Sequence, residues 1–196
     1  MSRAVFAMDL RLRALSACLA AVGMAAVILM VGALFPSVGD SIGKLHVPEG
    51  VANLLGGADY STITGWMRSE IGAIYGPLVI AASGIAAAVA ITAGEEEGGI
   101  LALVLAHPIE RGRLVLAKAG AVAAVVVIVA VGTWIGLLAG VAVAGGGISA
   151  GNLSAMTLQL AFFGFAIGAL ALALAALTGL KAVAAGAPAC SRWWGS

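Results

Sequence analysis

The chain has 196 residues, of which 62% are hydrophobic and 10% charged, and its formal net charge is +1. Its mean hydropathy is +1.13, whereas a soluble domain averages about 45–50% apolar and 25% charged residues. That much apolar surface costs about 25 cal/mol per Å² in water, so a soluble globular domain is excluded; a near-neutral chain with no basic patch also gives nucleic acid nothing to bind.

Residues 1–13 carry Arg3, Arg11 and Arg13 and lead into an apolar run over residues 14–35. That run is long enough to cross a bilayer, which takes about 20 residues of helix. It is too long for a signal-peptide h-region of about 7–15 residues, and no Ala-x-Ala cleavage site follows. Cys18 lies within it and Cys190 near the far end, so neither a disulfide nor a thiolate metal site is expected.

A polar loop over residues 36–74 comes next. Pro48 followed by Glu49 reads as a helix start, and a second helix is expected from residues 61–64. Trp66, Met67, Ile71, Ile74 and Tyr75 either form an amphipathic lead-in to the membrane or belong to a solvated loop. Gly39 to Lys44 has too few residues between its glycines for a phosphate-binding loop and lacks the Ser or Thr after the lysine.

The second span is expected over residues 75–93, and a charged segment over 94–118 separates it from the third. Glu95, Glu96 and Glu97 open a helix there, where negative charge suits the helix N-terminus. Ile100, Leu101, Leu103, Val104 and Leu105 give it an apolar face. Pro108 ends it, having no amide donor and holding His107 extended. Arg111, Arg113 and Lys118 then lead back into the membrane.

The third span covers residues 119–144, with Gly132, Gly136 and Gly140 at four-residue spacing. The fourth covers 155–178, with Gly164 and Gly168; Gly72 and Gly76 repeat the spacing at the head of the second. Such stripes let helix backbones approach closely, either within one chain or between two. Ser83, Thr92, Thr133, Trp134, Thr157, Gln159 and Thr178 are the polar residues inside the spans and are expected to bond between helices. No ionisable group lies inside these spans, which weighs against an ion-coupled carrier.

Lysine and arginine crowd the N-terminus, the 94–118 segment and the tail, leaving only Lys44 and Arg68 in the first loop. The positive-inside rule then puts both termini and the central loop in the cytoplasm. Spanning segments must be helices, since a lone strand leaves backbone groups unpaired in hydrocarbon. The expected fold class is therefore all-α: a polytopic membrane helix bundle with four transmembrane helices, the membrane domain ending near residue 182. In the tail, 183–196, the composition shifts at Pro188, Cys190, Arg192, Trp193 and Trp194, which reads as a premature ending or as an interfacial aromatic anchor.

The pattern Glu-Glu-x-x-Gly-x-Leu-x-Leu-x-Leu-Ala-x-Pro-Ile-x-Arg, with Lys before the third span, resembles the cytoplasmic loop of type-two ABC exporter permeases, particularly those of polyketide and antibiotic efflux. The matching positions are Glu95, Glu97, Gly99, Leu101, Leu103, Leu105, Pro108, Ile109, Arg111 and Lys118; Gly98, Ile100 and Ala102 depart from it. The resemblance, which covers roughly residues 1 to 180, implies a permease subunit in a bacterial inner (plasma) membrane, among membrane lipids. It would work with a separate ABC ATPase subunit and a second permease copy or half, moving a hydrophobic or amphiphilic compound outward. It implies an amphipathic coupling helix in which Glu95, Glu96, Glu97 and Arg111 make charged contacts, Leu101 and Leu105 anchor the docking, and Pro108 sets the shape. No catalytic residue, metal or cofactor is expected, and ATP would be hydrolysed on the separate subunit. The rival expectation is a non-transporting membrane scaffold, regulatory subunit or truncated relic of such a permease.

Overall fold

The computed structural model describes residues 2–43, 62–92 and 111–178, and among them it is helical apart from short connections. Helix α1 is Ser2–Gly43, α2 is Ile63–Ile91, α3 is Arg111–Val143 and α4 is Ala150–Thr178. Each is long and apolar enough to cross a membrane, so the chain is an all-α, polytopic membrane protein. Large apolar side chains face outward on every helix; Leu15 is 73% exposed, Leu116 73% and Leu177 82%. In water each would forfeit its burial energy, whereas in lipid none does.

All four helices outrun the apolar windows that identify them. Helix α1 begins before residue 14 and passes through Pro36 to Gly43, where the sequence suggested a loop. Proline already has a helical φ, and the backbone bond it removes is the one to Gly32. Helix α2 likewise begins at Ile63, so Trp66, Met67 and Ile71 are helical and buried and not a surface lead-in. Apolar length reports only the lipid-immersed part of a helix; the polar turns at its ends have no hydropathy signal.

Helix α2 is not uniform. Thr62 caps it, its Oγ1 accepting from the Gly65 amide at 3.1 Å. One α-helical turn over Ile63–Met67 gives way to π-helix over Arg68–Tyr75, and α-geometry resumes at Gly76–Ile91. The Gly76 amide donates to the Ile71 carbonyl, five residues back. The wider turn falls just ahead of Pro77, whose ring would press on the carbonyl one α-turn earlier.

The α3–α4 connection is short because both ends are capped. Gly145 adopts φ 69°, which a residue without Cβ reaches without strain. The Gly146 amide then donates to Val141 at 3.1 Å and the Gly145 amide to Ala142 at 3.2 Å, the Schellman arrangement that closes a helix. Ser149 starts α4, its Oγ accepting from the Asn152 amide at 3.3 Å.

The described residues divide into two compact units: 2–15, 81–92, 111–126 and 164–178 in the first, 16–43, 62–80 and 127–163 in the second. The core of the second unit gathers Met24, Ile28 and Val31 of α1, Trp66, Met67 and Ile71 of α2, Leu137 and Val141 of α3, and Leu153 of α4. Trp66 donates its indole N–H to the Val31 carbonyl at 3.1 Å and tilts against Phe35, with ring centroids 6.1 Å apart. The glycine stripe of α3 packs within the chain. A Cβ on Gly132 would lie 2.6 Å from that of Ala21, one on Gly136 2.7 Å from Ala25 Cα, and one on Gly140 3.0 Å from the Ile28 carbonyl. In the first unit Gly84 of α2 meets Gly164 and Gly168 of α4, while Gly168 also packs on Val122.

The hydroxyls behave differently from expectation. Thr92, Thr133 and Thr157 donate to carbonyls one turn back on their own helices, those of Ala88, Val129 and Leu153. A threonine hydroxyl reaches its own helix without any demand on helix orientation. Trp134 does bond between helices, its indole N–H reaching Ser154 Oγ at 3.0 Å.

Candidate coupling region

The segment singled out by its charge leaves α2 after Ile91 and rejoins at α3. Glu95, Glu96, Glu97, Gly99, Leu101, Leu105 and Pro108 lie outside the described residues. Arg111 begins α3. The described part of the region is therefore its two roots, both in the first unit.

A helix C-terminus leaves its last carbonyls without backbone partners and carries partial negative charge. In a lipid protein these groups need partners within the chain. At the end of α2 side chains supply them. The hydroxyl of Thr92 takes the Ala88 carbonyl at 2.5 Å. The guanidinium of Arg13, on α1, donates to the Ala90 carbonyl at 3.5 Å. The ammonium of Lys118, on α3, donates to the Ile91 carbonyl. Two cations from two other helices thus hold the last residues of α2, matching the sign of the helix end.

Lys118 is 6% exposed, and Asp9, one turn before Arg13 on the same face of α1, is 1% exposed. A buried ammonium is costly unless it is hydrogen-bonded, and the Ile91 carbonyl meets that need. Lys118 belongs by sequence to the 94–118 segment, yet its side chain points into the bundle. Arg113, one turn nearer the loop, is exposed. The contribution of Arg13 was not legible beyond its positive charge; the signal that could have found it is Asp9, whose i, i+4 spacing to Arg13 marks a charged face within a helical run.

In the same unit α3 and α4 border an apolar groove of about 420 Å³, lined by Val115, Ala119, Val122, Phe165, Gly168 and Leu172 among others. Among the described residues no three His, Cys, Asp or Glu side chains come together as metal ligands. Cys18 is exposed on α1.

The geometry defines a multi-pass membrane helix bundle in which side chains hold the end of α2 to α1 and to the start of α3. The family model described as ABC-2 family transporter protein matches residues 3–189. The chain belongs to that family, the membrane permeases of ABC transporters, and membership implies partnership with an ABC ATPase subunit. Comparison with curated proteins and with solved structures gives no match.

Proposed function

We propose that this chain is the membrane-spanning subunit of an ATP-driven exporter, moving a hydrophobic or amphiphilic compound, antibiotic-like or lipid-like, outward across a bacterial inner membrane. ATP is hydrolysed on the separate subunit, and the chain itself catalyses no reaction. The segment 94–118 faces the cytoplasm and docks on that ATPase, with Leu101 and Leu105 as apolar anchors and Glu95, Glu96, Glu97 and Arg111 as charged contacts. A second permease copy completes the translocation path.

The observation that supports this reading is that, in a chain of the permease family, the end of α2 and the start of α3, which the charged segment joins, are both held in the bundle by side chains. A lever must be stiff at its base to transmit movement, as coupling between two sites requires a shared element that both can bias. The apolar groove between α3 and α4 is of the size and polarity that suits a drug-like or lipid-like molecule.

The test is co-purification from detergent with the ABC ATPase subunit, comparing the native chain with the double variant Leu101→Asp/Leu105→Asp. Retention by the native chain and loss in the variant is the expected result. A well-folded native chain that binds no ATPase subunit would replace this reading with that of a non-transporting scaffold.

A further inference from the structure

We infer that Lys118 is a positioning residue that straps the two roots of the 94–118 segment together, so that a push on the segment moves α2 and α3 as one body. The inference rests on the exporter reading and adds to it the element through which the push passes. Lys118 and Ile91 are 27 positions apart in sequence, at opposite ends of the segment, and are joined directly by the bond from ammonium to carbonyl. Arg13 fixes the neighbouring Ala90 carbonyl from a third helix. The contact is also directional. Ile91 is the last residue of α2, and the carbonyls there carry the negative end of the helix, so a cation is the side chain this position favours. The burial of Lys118 keeps water from competing for the carbonyl, and a bond in a low-dielectric site is stiffer than the same bond in water.

Without the strap, Arg13 would still hold the end of α2 to α1, but the direct bond from α3 to that end would be gone. An ATPase that displaced the segment would then drag the start of α3 while the end of α2 lagged behind. With the strap in place, the distance between the roots stays constant while both move.

The experiment places nitroxides on Ala86→Cys of α2 and Gly112→Cys of α3, with Cys18 and Cys190 changed to Ala, in the full chain bound to its ATPase subunit in lipid nanodiscs. Both label sites are exposed, and a Cβ at Gly112 meets nothing within 4 Å. Pulsed dipolar spectroscopy then gives the distance distribution without nucleotide and with Mg²⁺ and a non-hydrolysable ATP analogue. The native chain is expected to give one narrow distribution that nucleotide leaves in place. Lys118→Met is expected to lose that narrow peak and to gain a nucleotide-dependent shift, while Lys118→Arg, which keeps a donor, retains the native behaviour. If Lys118→Met does not fold, Lys118→Leu, which likewise fills the site without a donor, is judged by the same criterion.

A native-like distribution in Lys118→Met in both states would overturn the strap. So would a nucleotide-dependent shift in the native chain as large as that of the variant. If the native chain binds no ATPase subunit, the exporter reading falls and takes the coupling role with it, while the nucleotide-free distributions still decide whether Lys118 holds the roots together.

Discussion

The closest approaches in the bundle are made where side chains are smallest. At Gly136 a Cβ would stand 2.7 Å from Ala25 Cα, a backbone atom that cannot rotate away, whereas at Gly23 it would meet nothing within 4 Å. Gly136→Ala therefore has to spread α1 from α3, and the strain of overpacking is about 1–3 kcal/mol. Gly23→Ala removes backbone freedom in an open helical site and is expected to be neutral or slightly stabilising. Thermal unfolding of the two variants in detergent separates these outcomes, and equal midpoints would argue against the close approach. The four-residue spacing of Gly132, Gly136 and Gly140 was legible in the sequence, but its partners were not. Ala21 and Ala25 sit in a run of small apolar residues, and nothing in a periodic pattern says which face of which helix it meets. Gly84 shows the same limit: it packs on Gly164 and Gly168 although it belongs to no stripe of its own.

Elements were legible in kind but not in extent, for a reason visible in α2. Hydropathy marks where a helix is surrounded by lipid, yet α2 begins at Ile63, where Arg68, Ser69 and Glu70 dilute the apolar signal. The π-helical stretch is a further feature no periodicity announces, and Pro77 gives it a physical origin. Pro77→Ala restores an amide donor and relieves the ring's pressure on the preceding turn, so Arg68–Tyr75 is expected to tighten towards α-geometry. Shifting the register by a residue turns Ile63–Met67 about the axis and withdraws the Trp66 indole from the Val31 carbonyl, a bond of 3.1 Å. With Trp134, Trp193 and Trp194 changed to Phe, the Trp66 emission is expected to move to the red in Pro77→Ala. An unchanged spectrum would show that packing around Trp66, and not the proline, imposes the wider turn.

For the molecule as a whole the dominant energy is the exchange of water for lipid, which is why composition alone gave the class and why the outward-facing leucines look misplaced by soluble standards. The same exchange explains the limits on charge. Arg13 and Lys118 are tolerated near the ends of long helices, where the last carbonyls of α2 accept from them; the middle of a lipid-facing surface offers no such acceptor. Leu170 lies well inside α4 and is 57% exposed, and an apolar side chain so placed on a spanning helix is expected to face hydrocarbon. Leu170→Asp is expected to cost about 2.5–3.5 kcal/mol of insertion free energy, as for a charged residue near the centre of a spanning helix. Gly147→Asp, in the exposed connection between α3 and α4, stays at the bilayer edge and is expected to leave insertion unchanged. Protease mapping of the residues that follow α4 in membrane vesicles distinguishes the two: the Leu170 variant should leave a fraction of chains with α4 uninserted and those residues on the wrong side, while the Gly147 variant should match the native pattern. Full insertion of Leu170→Asp would mean that this face is not lipid-facing in the assembled protein and that a further protein surface covers it, which would move the outer boundary of the permease from α4 to whatever packs upon it.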